Sequence, residues 1–111
     1  MQHDDMVYAG TMLDAALRIR RRAANLSRAA FDADEDLQLA LTHLIQVFGE
    51  AASRTSEPFQ AAHSEIPWTK IIGMRHRIVH NYDDVNADII WDVATAQLEP
   101  LISALQRTVP E

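Results

Sequence analysis

The clearest periodic signal in this chain lies in residues 35–54, which read EDLQLALTHLIQVFGEAASR. Apolar residues recur there at intervals of three and four, the spacing that places them on one face of an α-helix. They are Leu37, Leu41, Leu44, Ile45, Phe48, Ala51 and Ala52. A helix with one apolar face buries that face against other elements. The segment therefore predicts a long helix of a packed bundle.

Similar stripes lie on both sides of this segment. The first is predicted from about Asp5 to Leu26, with an inner face of Met6, Ala9, Leu13, Ala16, Leu17 and Arg20. A third helix begins at Pro67 and carries Trp68, Ile71, Ile72, Arg75 and Val79 on its inner side. Asn86 is a good cap for a fourth helix, whose stripe is Ile89, Ile90, Val93, Ala94, Leu98, Leu101 and Leu105.

The connections between these helices are short. Ser27–Asp34 is predicted as a connector, and Ser56-Glu57-Pro58 starts a short extra helix that ends at His63. Amphipathic helices joined in this way form antiparallel bundles. We therefore predict an all-α fold, an antiparallel four-helix bundle with a short extra helix, in a single domain over residues 1–111.

Composition narrows the class of protein. The chain has no cysteine, which excludes disulfides and thiolate zinc sites and fits a cytoplasmic protein. No apolar run reaches the roughly 18 residues that a membrane span needs, and the acidic, polar start does not read as a signal peptide. The net charge of −6 argues against purely electrostatic nucleic-acid binding.

The positive charges are nevertheless clustered. Arg18, Arg20, Arg21, Arg22 and Arg28 fall within one short stretch, while acidic residues gather around residues 32–36. One interpretation is a solvated helix face. The other is a rim of an RNA-binding surface or a contact for an acidic partner.

The densest chemistry lies in Arg75-His76-Arg77-Ile78-Val79-His80-Asn81-Tyr82-Asp83-Asp84. Arginine binds phosphate in a bidentate manner, and imidazole transfers protons near neutral pH. Arg75 and His80 would lie about 140° apart on an ideal helix, so one narrow face cannot carry both. Either the helix ends near His80 and the chain turns, or a ligand is met from two sides of a groove, as a two-fold dimer would provide. Both can hold together.

Three interpretations of this cluster compete. In the first, His76, Arg77 and Asp83 make surface hydrogen bonds around an ordinary helix end. In the second, His76 and His80, spaced i, i+4, bind zinc with a third ligand such as Asp83 or Asp84. In the third, His80 transfers the proton of the 2′-hydroxyl or of the leaving 5′-oxygen of RNA, and Arg75 offsets the charge that builds on the phosphorane.

Several anchors resemble, in order and spacing, the HepT-like toxins of the HEPN superfamily. Leu44–Ala52 looks like that family's apolar segment ending in Gly-Glu-Ala, and Glu65–Arg75 is similar to its Ile-Pro-Trp…Gly-Leu-Arg stretch. Arg75, His80 and Tyr82 match its Arg-x4-His-x-Tyr motif, and residues 85–91 match the lead into its last helix. The resemblance covers nearly the whole chain.

This resemblance implies a ribonuclease that cleaves RNA without a metal or other cofactor, in a cleft at a homodimer interface. It implies that Arg75 and His80 are catalytic. We also expect RNA-binding or supporting roles for their neighbours His76, Arg77, Asn81 and Lys70. The aliphatic residues outside the main stripes would cover the dimer interface, notably Met12, Ile19, Val47 and Ile102.

The resemblance also implies a toxin–antitoxin system. The partner is a nucleotidyltransferase antitoxin of the MNT type, which neutralises the toxin and transfers adenylate to Tyr82, within a complex that can be larger than the dimer. Two positions depart from the family pattern: His76 replaces an asparagine, and His43-Leu44 replaces an Arg-Asn pair. These departures leave open which imidazole dominates. The alternative function is a non-catalytic HEPN-type module that binds nucleotides or proteins.

Overall fold

The computed structural model describes residues 4–81 and 84–110, and for residues 75, 76, 79–81, 84 and 85 it describes the backbone alone. The helices are α1 Asp5–Ala23, α2 Arg28–Asp32, α3 Glu35–Arg54, α4 Glu57–Ala62, α5 Trp68–Ile78, α6 Ala87–Asp92 and α7 Leu98–Thr108, with a π-helical segment Val93–Gln97 between α6 and α7. The strands β1 Val79–Asn81 and β2 Asp84–Val85 pair antiparallel. The predicted all-α bundle is confirmed, and the short ribbon is an addition to it. None of the described helices is both long and apolar enough to cross a membrane.

The long helices run antiparallel, so the molecule has two distinct ends. At one end, Asp5 at the start of α1 accepts a hydrogen bond from the Ser56 hydroxyl at 2.7 Å, just past the end of α3. Trp68, which begins α5, donates from its indole Nε1 to the His63 carbonyl at 3.0 Å. The opposite end contains the end of α1, then α2, the start of α3, the end of α5 and the start of α6. Because Arg75 and His80 lie there, we call it the motif end.

Helix α3 forms as its stripe predicts. Asp34 precedes the helix and caps it, accepting a hydrogen bond from the Leu37 amide at 3.0 Å. A carboxylate in this position satisfies one of the backbone N–H groups that a helix start leaves without a partner. The buried residues of the helix follow the predicted face and form the centre of the core: Leu41, Ile45, Phe48, Ala51 and Ala52.

The buried face of α1 differs from the predicted stripe. Ala9, Met12, Ala15, Ala16 and Ile19 are buried, whereas Met6 is 42% exposed and Arg20 is exposed. Helix α1 contacts both α3 and α7, and the alanines allow both helices to approach closely. The prediction that Met12, Ile19 and Ile102 cover a dimer interface is therefore wrong, because all three are at most 1% exposed inside the core. Val47 is half-buried.

The segment after α1 is a helix, not the connector that we predicted. Helix α1 ends at Ala23, and Asn25 takes a φ of 60°, a left-handed conformation that asparagine tolerates. Ser27 then caps α2 by accepting a hydrogen bond from the Ala30 amide at 3.0 Å. Phe31 of α2 is fully buried, with its ring centroid 5.3 Å from that of Trp91. This contact docks α2 onto α6.

The predicted fourth helix is interrupted by the π-helical segment Val93–Gln97. Pro100 lies two residues into α7 and has no N–H to donate to the carbonyl of Ala96, and its ring crowds that carbonyl. A wider turn ahead of the proline relieves this crowding. Burial continues on both sides of the segment, through Ile90, Val93, Ala94, Leu98 and Leu101. The apolar period therefore predicted the helix but not its interruption.

Candidate active site

The motif spans the junction between α5 and the β1–β2 hairpin. Helix α5 ends at Ile78, which is fully buried and fixes the end of the helix in the core. The carbonyl of Ile78 accepts a hydrogen bond from the Asn86 amide at 3.0 Å, which closes the base of the β1–β2 hairpin. Asn86 in turn caps α6, accepting from the Ile89 amide at 3.2 Å. The predicted helix end near His80 is confirmed: Arg75 lies in the last turn of α5, and His80 lies beyond the helix.

The hairpin has an irregular register at His80. Val79 pairs with Val85 and Asn81 pairs with Asp84, so β1 carries one residue more than β2 between the two pairs. That residue is His80. A bulge of this kind bends its strand and is common beside active sites. The separation of about 140° that an ideal helix would impose on Arg75 and His80 does not apply here, because the two residues belong to different elements.

The face of α5 that carries Arg75 is not the face that carries Lys70 and Arg77. From the helical repeat, Arg75 lies about 40° from Ile71 and about 60° from Ile78, and both isoleucines are buried. Position 75 is also only about 20° from the buried Trp68, so it lies on the side of α5 that carries the buried residues. Lys70 and Arg77 are exposed and lie about 140–160° away from Arg75 around the helix.

Lys70 and Arg77 are brought together elsewhere. With Met74 they line a groove of about 150 Å³ between α5 and the α6–π-helical region, and the carboxylates of Asp88 and Asp92 line the same groove. The positive charges of α5 therefore meet acidic residues there. Lys70 and Arg77 thus line the same groove, on the side of α5 that faces away from position 75.

A clamp between α2 and α6 holds the base of the hairpin. The Arg28 guanidinium donates to Asp88 at 2.6 Å and to Asp32 at 2.8 Å. Hydrogen bonding to Asp88 and then to Asp32 raises the pKa of Arg28 above its ordinary value. The same guanidinium lies over the rings of Phe31 and Trp91, 5.8 and 5.9 Å from their centroids. Sequence reasoning missed this clamp, although the i, i+4 spacing of Arg28 and Asp32 was a signal for part of it.

The remaining predicted site residues have these positions. Asn81 and His80 lie in β1, and His76 lies in α5 between Arg75 and Arg77. Tyr82 and Asp83 lie outside the described residues, so the predicted adenylylation site has no structural account. Within the described part of the chain, no group of three or more histidine, aspartate or glutamate side chains is placed to hold a metal ion. Trp68 is buried, as predicted, and Trp91 is half-buried against Phe31.

Comparison with known proteins gives a consistent answer. The model of the family "Ribonuclease HepT-like" matches residues 12–108. A protein from Caldanaerobacter subterraneus subsp. tengcongensis named "Putative RNase" is 32% identical over 80 residues, which are 72% of this chain and 71% of that protein. One of the same name from Methanocaldococcus jannaschii is 26% identical over 70% of this chain, and the "Probable ribonuclease HepT" of Thermococcus cleftensis is 28% identical over 64% of it.

In the last two cases the match spans 64% of the relative, just under two thirds of its length. No solved structure gives a significant match. The family model covers most of this chain: α1 from Met12 onward and everything from α2 to the end of α7. The resemblance inferred from the sequence is confirmed, and the chain belongs to the HepT-like ribonuclease family of the HEPN superfamily.

Proposed function

We propose that this protein is an endoribonuclease toxin that cleaves RNA without a metal ion, with Arg75 and His80 as its catalytic residues. One observation carries the proposal. Helix α5 ends at the buried Ile78, and a closed hairpin follows at once, so an arginine in the last helical turn and a histidine on a backbone bulge are held at the same junction. Membership of a ribonuclease family supports RNA as the substrate.

The chemistry follows from the two side-chain types. The 2′-hydroxyl of RNA attacks the adjacent phosphorus, its proton is accepted by an imidazole, and a proton is delivered to the 5′-oxygen as the bond to phosphorus breaks. The products are a 2′,3′-cyclic phosphate and a 5′-hydroxyl. The Arg75 guanidinium offsets the negative charge that builds on the phosphorane. To test this mechanism, RNA cleavage by the purified protein is measured in the presence of a chelator. The wild-type protein is expected to cleave, and the Arg75 and His80 variants, measured under the same conditions, are expected to lose cleavage.

We propose that the active enzyme is a homodimer. One His80 per copy supplies one proton-transfer group, and a two-fold axis through the cleft supplies a second. Sedimentation equilibrium is expected to give twice the chain mass of 12.5 kDa. A monomer that keeps full nuclease activity would contradict the proposal.

We further propose that a nucleotidyltransferase antitoxin in the cytoplasm neutralises the toxin by transferring adenylate to Tyr82. An adenylate two residues past His80 adds an anionic phosphate, which pairs with the guanidinium that RNA phosphate needs and blocks the cleft. Modified protein is therefore expected to be inactive. Tyr82→Phe is expected to remain a toxin and to escape covalent neutralisation.

Mass spectrometry after co-expression with the cognate nucleotidyltransferase shows whether Tyr82 carries an adenylate. Tyr8 provides the matched control, since Tyr8→Phe removes the other tyrosine hydroxyl of the chain and is expected to leave modification unchanged. An adenylate on another residue, or full neutralisation with none, would mean that the antitoxin acts by occlusion and that Tyr82 is not its target.

A further inference from the structure

A groove between α1 and α3 gathers three arginines on one side. Arg18, Arg21 and Arg22 are spaced i, i+3, i+4 along α1 and so share one helical face. Opposite them, α3 contributes Ala40, His43 and Leu44, and the groove encloses about 580 Å³. His43 is exposed, and its ring can donate a hydrogen bond into the groove.

The groove is lined by positively charged side chains, although the chain as a whole has a net charge of −6. Arg18 has one neighbouring carboxylate, that of Asp14 at 3.1 Å, and both side chains are more than half exposed. Arg21 and Arg22 are exposed and make no ion pair within residues 4–81 and 84–110. The helix dipole favours positive charge in the last turn of α1, but it acts along the helix axis. It therefore does not explain why these arginines lie on one side of the helix. Arg20, on another face, pairs with Glu99 of α7 at 3.5 Å.

The groove lies at the motif end of the bundle. It is formed by the last turns of α1 and the first half of α3, while Arg75 lies in the last turn of α5. Helix α3 contacts both α1 and α5 and so lies between them. Packed helix axes are about 8–10 Å apart, so the axes of α1 and α5, on the two sides of α3, are at most about 16–20 Å apart. An extended nucleic-acid strand crosses such a distance within a few nucleotides.

We propose that this groove binds the phosphate backbone of single-stranded RNA next to the cleavage site. The proposal rests on the proposed ribonuclease function, and it adds a binding site outside the Arg-x4-His motif. Arg18 is three and four residues from Arg21 and Arg22, about 5–6 Å away at the Cβ atoms, so the three guanidiniums form a cluster that can contact more than one phosphate. Because the contacts are to phosphate, the groove contributes affinity without base specificity.

The test measures binding of a single-stranded RNA oligonucleotide that carries 2′-O-methyl groups and so cannot be cleaved through the 2′-oxygen. Arg21→Ala and Arg22→Ala are each expected to weaken binding about threefold to tenfold and to reduce the slope of log K against log salt by about 0.7, the loss of one phosphate contact. Arg22→Lys keeps the charge and is expected to keep the slope. Arg107→Ala is the matched control: it removes one exposed arginine from α7 at the opposite end of the bundle and is expected to leave affinity and slope unchanged.

Three outcomes overturn the proposal, and they are distinguishable. If wild-type protein cleaves RNA while Arg21→Ala and Arg22→Ala bind the probe as Arg107→Ala does, the groove is not an RNA site and the ribonuclease function stands. If the groove variants bind RNA normally but lose the nucleotidyltransferase, the groove is a protein contact. If wild-type protein neither binds the probe nor cleaves unmodified RNA, the groove and the proposed function fail together.

Discussion

Replacing His80 with alanine is expected to reduce RNA cleavage by about 10²–10⁴-fold, the contribution typical of a positioned proton-transfer group. Arg75→Ala is expected to cost at least about 10²-fold, because a cation aimed at the developing phosphorane charge acts in the transition state. Both variants should also abolish growth inhibition. The helical circular-dichroism signal should persist, since α5 packs through Trp68, Ile71, Met74 and Ile78, which remain in place.

His76→Ala is the informative comparison for this prediction. His76 and His80 are both titratable, and their positions differ: one lies within α5 and the other on the bulge after it. If His76→Ala retains measurable cleavage while His80→Ala is inactive, the assignment of His80 as the catalytic histidine is supported. Full activity in the His80 variant would remove His80 from the catalytic site.

Phe31→Ala is expected to destabilise the protein by about 3–5 kcal/mol, the usual cost of truncating a fully buried phenylalanine. Phe31 in α2 is 0% exposed, and its ring packs against the ring of Trp91 in α6. A loss of this size is a large part of the roughly 5–15 kcal/mol by which domains are stable. Since α6 starts directly after the hairpin, the variant should also lose RNA cleavage at a lower temperature than wild type.

Leu39→Ala is the control for this effect. It truncates an apolar side chain in α3 that is 52% exposed, and surface changes of this kind usually alter stability by about 0.5 kcal/mol or less. Urea denaturation followed by circular dichroism measures both variants. Equal midpoints for Phe31→Ala and Leu39→Ala would show that α2 does not anchor the motif end.

The contrast between α3 and α2 shows what a sequence can predict. Glu35–Arg54 was predicted with both of its bounds, because twenty residues carry a complete stripe and Asp34 caps them. Helix α2 has five residues, too few for a period to be visible or for an isolated helix to form. It exists because Phe31 meets Trp91, which lies 60 positions further along the chain, and no local pattern reports that contact. The inner face of α1 was misplaced for a related reason, since α3 and α7 together select it.

Some features of the candidate site were likewise predictable from the sequence, and others were not. Chemistry and spacing identified Arg75 and His80 as candidates. A helix end near His80 was one of the two arrangements that their angular separation allowed, and the helix does end there, at Ile78. The bulge at His80 was not predictable, because it depends on the pairing of β1 with β2. Lys70 and Arg77 were grouped with Arg75 by proximity in sequence, whereas the helical repeat places them toward Asp88 and Asp92.

The most direct test of the account is the identity of the RNA ends that wild-type protein produces in the presence of a chelator. Attack by the 2′-hydroxyl, assisted by His80 and Arg75, predicts 2′,3′-cyclic or 3′-phosphate ends paired with 5′-hydroxyl ends. Cleavage that requires zinc and stops in chelator would instead support metal binding by His76 and His80, and RNA binding without cleavage would support the non-catalytic module. Products with 5′-phosphate and 3′-hydroxyl ends would contradict the proposed mechanism outright, because they require water rather than the RNA's own hydroxyl as the attacking group.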